Sequence, residues 1–136
     1  MSWPGWKIVV DGAHGAVSEF IRPLLSMRGV SVTAIGCDPN GLNINQKMGA
    51  MHPEVIQRRV KSERADLGVC FDGDGDRALF CDEQGSLLDG DDVLALAADH
   101  LLEHARRPLK SVVGTVMSNF GLEEYLKRRG VTLWRA

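Results

Sequence analysis

Apolar and polar positions along this chain switch repeatedly between the two-residue period of strands and the wider period of helices. Lys7-Ile8-Val9-Val10 is a short β-branched run, followed by a glycine-containing turn and then by helical spacing over 17–28, which Gly29 ends. Residues 30–35 return to a strand pattern, and 39–50 hold no period and read as a loop. Pro53 then opens a helix running to residue 64, because its missing N–H is harmless at the first helical position and Glu54 meets the positive end of the helix dipole. Residues 65–71 are almost continuously apolar, the pattern of a strand buried on both faces; 78–81 resume it. A turn at Asp82-Glu83-Gln84-Gly85 leads into a short strand at 86–88. Asp91 and Asp92 begin a helix with Val93, Leu94, Leu96, Ala97, Leu101 and Leu102 on one face, stopped by Arg106-Arg107-Pro108. Beyond it, 111–115 reads as strand, 119–129 as helix and 131–134 as strand. Ser2-Trp3-Pro4-Gly5-Trp6 reads as a lead-in strip or packing edge.

A β-α-β-α-β series closed by a hairpin predicts an α/β fold. The expected architecture is a three-layer, mostly parallel (mixed) sheet with helices on both faces, followed by an incomplete β-α-β unit. Pro108 places the expected break: residues 1–109 form one α/β domain, and 110–136 open a following one. Val112, Val113, Val131 and Leu133 of that last segment are expected to lack cover, which predicts that it either folds back on the first sheet or forms a homodimer through 111–136, the symmetric dimer being the cheaper closed solution.

The chemistry concentrates in Phe71-Asp72-Gly73-Asp74-Gly75-Asp76-Arg77, where three carboxylates alternate with glycines. Like charges this close repel unless a cation sits between them. Mg²⁺ is small and takes oxygen ligands in octahedral geometry, so a tight Asp cluster suits it and leaves positions for water or phosphate. A plain Asp-Gly surface turn is the competing explanation. Against it, strand patterns flank the loop, and ligand sites of open α/β sheets lie beyond the carboxyl ends of strands. Asp72, Asp74, Asp76 and Glu83 also fall on EF-hand ligand positions. That motif needs glycine where Arg77 stands, and helices where strands are expected. A nucleophilic Asp-x-Asp is the other rival, and the glycine spacing favours convergent ligation over it. Arg77 either balances the acidic cluster or grips a phosphate bidentately.

At 136 residues and a net charge of −2, the chain offers one core and no basic stripe, so nucleic acid is not an expected partner; nor is a membrane, since no spanning segment is present. Cys37, Cys70 and Cys81 are odd in number and lack metal spacing, which fits core residues in a reducing cytoplasm, with Cys70 and Cys81 facing each other on neighbouring strands. His14 sits between strand and helix as a structural cap, and His52 enters a helix. His100 and His104, at i and i+4, lack the glutamate of a zinc-protease helix and read as a solvated face. Ser118 and Asn119 read as helix caps, while Asn43 and Asn45 lie in the long loop.

Asp72-Gly73-Asp74-Gly75-Asp76-Arg77 resembles the magnesium loop of the α-D-phosphohexomutases, which isomerise sugar phosphates through a phosphoserine and a bisphosphorylated sugar. Pro39-Asn40-Gly41-Leu42-Asn43-Ile44-Asn45 and Gly114-Thr115-Val116-Met117-Ser118-Asn119-Phe120-Gly121-Leu122-Glu123 are similar to the phosphoglucosamine mutase branch of that family. The resemblance covers the second of four domains and the opening of the third. It implies that Asp72, Asp74 and Asp76 hold Mg²⁺, with Arg77 as a phosphate contact. It also implies that glucosamine 6-phosphate and its 1-phosphate isomer are substrates of the complete enzyme only. Nothing here resembles the family's serine motif, its sugar-selecting loop or its phosphate loop, so no catalytic residue is expected on this chain, which reads as a fragment inactive alone. The alternative is a non-catalytic metal-binding or self-associating module. Two departures stand out: Asp11-Gly12-Ala13-His14-Gly15 replaces the family's Asp-Cys-Ala-Asn-Gly, and Met51 stands where Thr is common.

Overall fold

The computed structural model describes residues 3–105 and 107–136; the lead-in at Ser2 and the helix stop at Arg106 lie outside the described residues. Two compact units divide between Leu87 and Leu88.

The first unit contains β1 (Lys7–Asp11), α1 (Ile21–Ser26), β2 (Ser31–Ile35), α2 (Pro53–Glu63), β3 (Leu67–Phe71) and β4 (Ala78–Asp82), and β5 (Leu87–Leu88) spans its end. Its sheet runs β2-β1-β3-β4-β5, with β1 parallel to both β2 and β3, and β4 antiparallel to β3. Side chains of a strand alternate between faces, so the two layers of core separate residue by residue along β1 and β3. Val9 and Cys70, with Cys81 of β4, pack against Ile56 and Val60 of α2; Ile8, Val10 and Val69 pack with Ile21 and Leu25 of α1. This is the mixed three-layer sandwich expected from the pattern.

Gly68 lets α2 seat closely, because a Cβ there would stand 2.6 Å from Val60 Cγ2 and 2.8 Å from Ile56 Cγ1. Helix α2 begins at Pro53 with Glu54 in its first turn, as expected, and ends on Arg64 in the left-handed conformation. Helix α1 is shorter than the expected 17–28. Pro23 has no N–H to bond back along a helix and is tolerated only in the first turn, so the helix begins at Ile21 and the residues before it form turns.

The second unit holds α3 (Gly90–His104), β6 (Ser111–Gly114), α4 (Phe120–Arg128) and β7 (Thr132–Arg135). Strands β6 and β7 pair in parallel, with Val112 opposite Leu133. The break therefore falls ahead of α3 rather than at the expected 109/110. The apolar face of α3 is what decides this: Ala98, Leu94 and Ala95 pack with Leu122 and Leu126 of α4 and with Val112, Val131 and Leu133. Those last three are covered, contrary to expectation, because both helices lie over their face of the strand pair. Val113 and Trp134 point the other way and are 64% and 63% exposed.

Capping fixes both helices. Asp89 accepts from the N–H groups of Asp91 and Asp92 while Asp92 accepts from that of Asp89, a reciprocal capping box. Asn119 caps α4 through the Leu122 N–H at 2.9 Å, and Asp99 of α3 receives both the Tyr125 hydroxyl and the Arg129 guanidinium.

Candidate metal centre

Three connections converge at the carboxyl ends of the parallel strands β1, β2 and β3: residues 11–16, 36–49 and 71–77. Asp11, the last residue of β1 and fully buried, ties them together by accepting the Ala13 N–H at 2.9 Å and the Gly49 N–H at 2.8 Å. Burial raises its pKa from 3.8, and the two amide bonds act in the opposite direction. The turn and the acidic loop then touch backbone to backbone. Ala16 N–H donates to the Gly73 carbonyl at 2.8 Å, and a Cβ on Gly15 would stand 2.1 Å from that same oxygen. Asn45 N–H donates to the Ala13 carbonyl, while a Cβ on Gly73 would meet Ile44 and Asn45 at 2.6 and 2.7 Å. Asn45 therefore braces the loop, and Asn43 works within its own segment by donating to the Asp38 carbonyl at 3.0 Å.

On this platform Asp72, Asp74 and Asp76 each present a carboxylate oxygen, all within 4.8 Å of one another. Asp74 and Asp76 are exposed, whereas Asp72 is 1% exposed. Arg77 closes the loop onto Asp72: its N–H reaches Oδ1 at 3.0 Å, and its Nε and Nη2 both reach Oδ2 at 2.7 Å. Burial alone would raise the Asp72 pKa, but the Arg77 backbone and guanidinium bonds outweigh it and hold the group down to about 2. Asp76 shifts up from 3.8, first through its hydrogen bond with Asp72 and then through repulsion from Asp74 and Asp72. The cluster is thus short of positive charge even with Arg77 in place. Three oxygen donors around one point, with no nitrogen or sulfur, fit a hard divalent cation such as Mg²⁺. A nucleophilic role suits Asp72 poorly, since both of its oxygens are engaged and screened. The flanking strands β3 and β4 likewise exclude an EF-hand.

Other singled-out residues fall elsewhere. His14 takes a positive φ of 50°, with Nδ1 3.2 Å from the Asp38 N–H that donates to it, so it pins the 36–49 segment. His52 lies at the N-cap of α2 without a capping bond and pairs with Glu54 at 3.4 Å. Cys70 stands opposite Leu79 and Cys81 opposite Gly68, so the two thiols are diagonal neighbours on one face rather than facing partners. Burial pushes the Cys70 thiol up to about 11 and raises those of Cys37 and Cys81 as well, which favours the neutral thiol over the thiolate. A Cβ on Gly12 would lie 2.8 Å from Cys37 Sγ. The thiol expected at position 12 by resemblance has its space taken by Cys37. The sequence motifs did not reveal Asp11 as the hub, although an Asp ending an apolar strand ahead of a Gly-rich turn is the signal that marks it.

The chain matches the phosphoglucomutase/phosphomannomutase alpha/beta/alpha domain II over residues 3–85 and domain III of the same family over 89–136. Among curated relatives, the phosphoglucosamine mutase of Desulfotalea psychrophila is 48% identical over 132 residues, 97% of this chain and 29% of the relative. That of Phenylobacterium zucineum is 44% identical over 135 residues, 99% of this chain and 30% of the relative. A solved phosphoglucomutase/phosphomannomutase family protein from Burkholderia thailandensis superposes with a TM-score of 0.81 at 26% identity, covering 96% of this chain and 29% of that one. The apo form of an N-acetylglucosamine-phosphate mutase gives a TM-score of 0.72 at 23% identity over 96% of this chain and 33% of that one, a likeness of fold. The chain thus spans about three-tenths of the length of the curated relatives it matches.

Proposed function

Because the chain belongs to the phosphoglucomutase/phosphomannomutase family, we propose that it is the metal-loop portion of a cytoplasmic phosphoglucosamine mutase, interconverting glucosamine 6-phosphate and glucosamine 1-phosphate only within the complete enzyme. The observation that carries this reading is the convergence of Asp72, Asp74 and Asp76 within 4.8 Å, in a chain whose relatives are phosphoglucosamine mutases. In this proposal the three carboxylates hold Mg²⁺. When bound, that ion would neutralise charge on a phosphoryl group in transit.

The chain's own residues have separate tasks. Arg77 keeps Asp72 ionised, so its negative charge is present for a cation even though its oxygens already accept from Arg77. Asp74 and Asp76 lie exposed and complete the donor set. Arg77 is itself 68% exposed, which leaves guanidinium donors for a phosphate oxygen. Asp11 and the glycine contacts hold the backbone beneath all of them. The loop 71–77 carries no serine or threonine to serve as the phosphorylated hydroxyl, so the chain alone is proposed to lack turnover.

Calorimetric titration with Mg²⁺ and Mn²⁺ tests the site: the intact chain should bind weakly for want of a phosphate ligand, and Asp74→Ala should abolish the heat. Equal heats for both chains would remove the loop from consideration. A coupled assay for glucosamine 1-phosphate tests the rest, and turnover above background that disappears in Asp72→Ala would overturn the fragment reading. A second reading, self-association through 111–136, is favoured by one observation: Val113 and Trp134 lie open on one face of the β6-β7 pair.

A further inference from the structure

Asn40 and Gly41 lie in the exposed run 38–42, where Gly41 takes a φ of 85° and nothing stands within 4 Å of where a side chain on it would begin. The pair is bent into a turn by its own side chain, since the Leu42 N–H donates to Asn40 Oδ1 at 2.9 Å. That bond closes a ring containing both Asn40 Cγ and the Gly41 nitrogen, so the amide carbon is folded back along the backbone toward that nitrogen. Three features then meet at one peptide. The Gly41 N–H makes no hydrogen bond among the described residues, which leaves it open to base from solvent. Glycine has no side chain to block the approach. The Leu42 N–H already holds the oxygen on which charge develops when Cγ is attacked, the task of an oxyanion donor. The other asparagines lack this combination. Asn43 has both ends of its amide engaged, with the Asn40 N–H and the Asp38 carbonyl, and is followed by Ile44. The nitrogen after Asn45 belongs to Gln46, whose N–H donates to the Asn43 carbonyl at 3.0 Å. Asn119 caps α4 and precedes Phe120.

We propose that Asn40 and Gly41 form a self-modification site, at which the asparagine is converted to aspartate and isoaspartate with water as the only co-reactant. The Gly41 nitrogen gives up its proton and bonds to Asn40 Cγ. The bond from Cγ to Nδ2 then breaks, ammonia leaves with that proton, and a cyclic imide remains. Water adds to either imide carbonyl. Breaking the bond from nitrogen to Cγ gives aspartate; breaking the bond to the main-chain carbonyl carbon gives isoaspartate, whose main chain is longer by a single carbon. Both products add a negative charge, and the longer one removes the geometry that seats the Leu42 N–H on the side-chain oxygen. The consequence reaches the acidic loop, because the same segment bonds the Ala13 carbonyl through the Asn45 N–H and sets Ile44 and Asn45 against Gly73.

The test ages the whole chain in mildly alkaline buffer and maps it by proteolysis and mass spectrometry, with electron-transfer fragmentation to separate the two products. The mass gain of amide turned to acid should accumulate at position 40, with isoaspartate among the products, and be absent at Asn43, Asn45 and Asn119. Conversion should be no slower in the folded chain than in the same chain unfolded in urea, because the turn supplies the oxyanion donor. Asn40→Gln and Gly41→Ala should each lose the product at position 40 over the same period. The first moves the amide carbon beyond the ring that forms, and the second puts a Cβ on the attacking residue at a φ that disfavours it. Amide exchange at Asn45 should be faster in the aged chain than in aged Asn40→Gln. Protection of Asn40 on folding, or conversion spread evenly over the asparagines, would overturn the site. Equal exchange at Asn45 in the two aged chains would overturn its link to the acidic loop.

Discussion

An interior strand of the first unit and the strands of the second differ sharply in how much of them is covered. In β1 four of five residues are buried, whereas β6 buries one of four and β7 none. The first sheet is packed on both faces, by α2 on one and α1 on the other, and it carries three loop connections at the carboxyl ends of its parallel strands. The second unit covers one face of a two-stranded pair. Its helix ends are well capped and its single core is shared by α3 and α4, yet Val113 and Trp134 stay outside it. Both helices of the second unit thus have satisfied N-termini, and what distinguishes the units is that the first sheet has core on two faces and the strand pair on one. The acidic loop sits on the unit whose sheet has core on both faces.

The contrast breaks most severely if the first sheet loses one of its covers. Ile56 of α2 is fully buried against Val9, Cys70 and Cys81. Ile56→Ala should destabilise the first unit by about 2–5 kcal/mol, the lost transfer energy plus the cavity left behind. Hydrogen exchange of the Val9 and Val10 amides would report it directly. A loss well below that range would mean that the face under α2 is not the rigid support proposed for the loops.

Gly15→Ala asks the same question at the loops. Its Cβ would strike the Gly73 carbonyl, so the turn and the acidic loop must part and the bond from Ala16 N–H must lengthen. Forcing a group into a filled site costs about 1–3 kcal/mol. The effect on Mg²⁺ affinity should exceed the effect on stability, because the carboxylates lie on the loop that moves. Unfolding melts paired with Mg²⁺ titration separate the two, and an unchanged affinity would show that the loop does not depend on its platform.

These two sites also show where pattern reading reaches and where it stops. The alternation of strand and helix, the start of α2 at Pro53 and the acidic loop between two strands all follow from local sequence, since period, proline and Asp-Gly chemistry act within a few residues. The start of α1 was hidden by a helical period that ran through Pro23, where a missing N–H overrode it. The unit boundary was hidden because periodicity shows that α3 has an apolar face and not which core that face fills. Asp11 and Gly15 owe their roles to neighbours as distant as Gly49 and Gly73, and single-sequence patterns carry no such contacts.

Asp82 sharpens the comparison through pH. At the turn after β4 its carboxylate accepts the Ser86 N–H at 2.7 Å and the Gln84 N–H at 3.0 Å, and the Ser86 amide is the chief reason its pKa falls below 3.8. The folded chain then binds this proton less readily than the unfolded one. Its stabilising contribution is complete above pH 3.8 and fades as pH drops through the lowered folded value. Asp82→Asn should flatten the acid limb of the first unit's stability curve below that point while leaving neutral pH behaviour changed only by the loss of the charged acceptor. An acid limb identical in both chains would remove the turn from the account. The expected effect is smaller than that of either packing change, since the turn is open to water.

The smallest stability effect is expected on the open face of the second unit, where Val113 and Trp134 point away from the core. Trp134→Ser and Val113→Thr should each change unfolding free energy by no more than about 0.5 kcal/mol, the usual range for surface positions away from packed features. Their effect on association should be far larger. Exposed apolar residues on a short sheet seek another surface, and a two-fold symmetric contact would cover the same patch on both copies at once. Light scattering across a concentration series should show self-association of the unaltered chain that weakens in Trp134→Ser and disappears when both positions are changed. If the unaltered chain stays monomeric at every concentration, the incomplete cover of β6 and β7 carries no association of its own. If the double variant loses several kcal/mol instead, those two side chains belong to a packed core after all, and the contrast between a finished and an unfinished sheet fails.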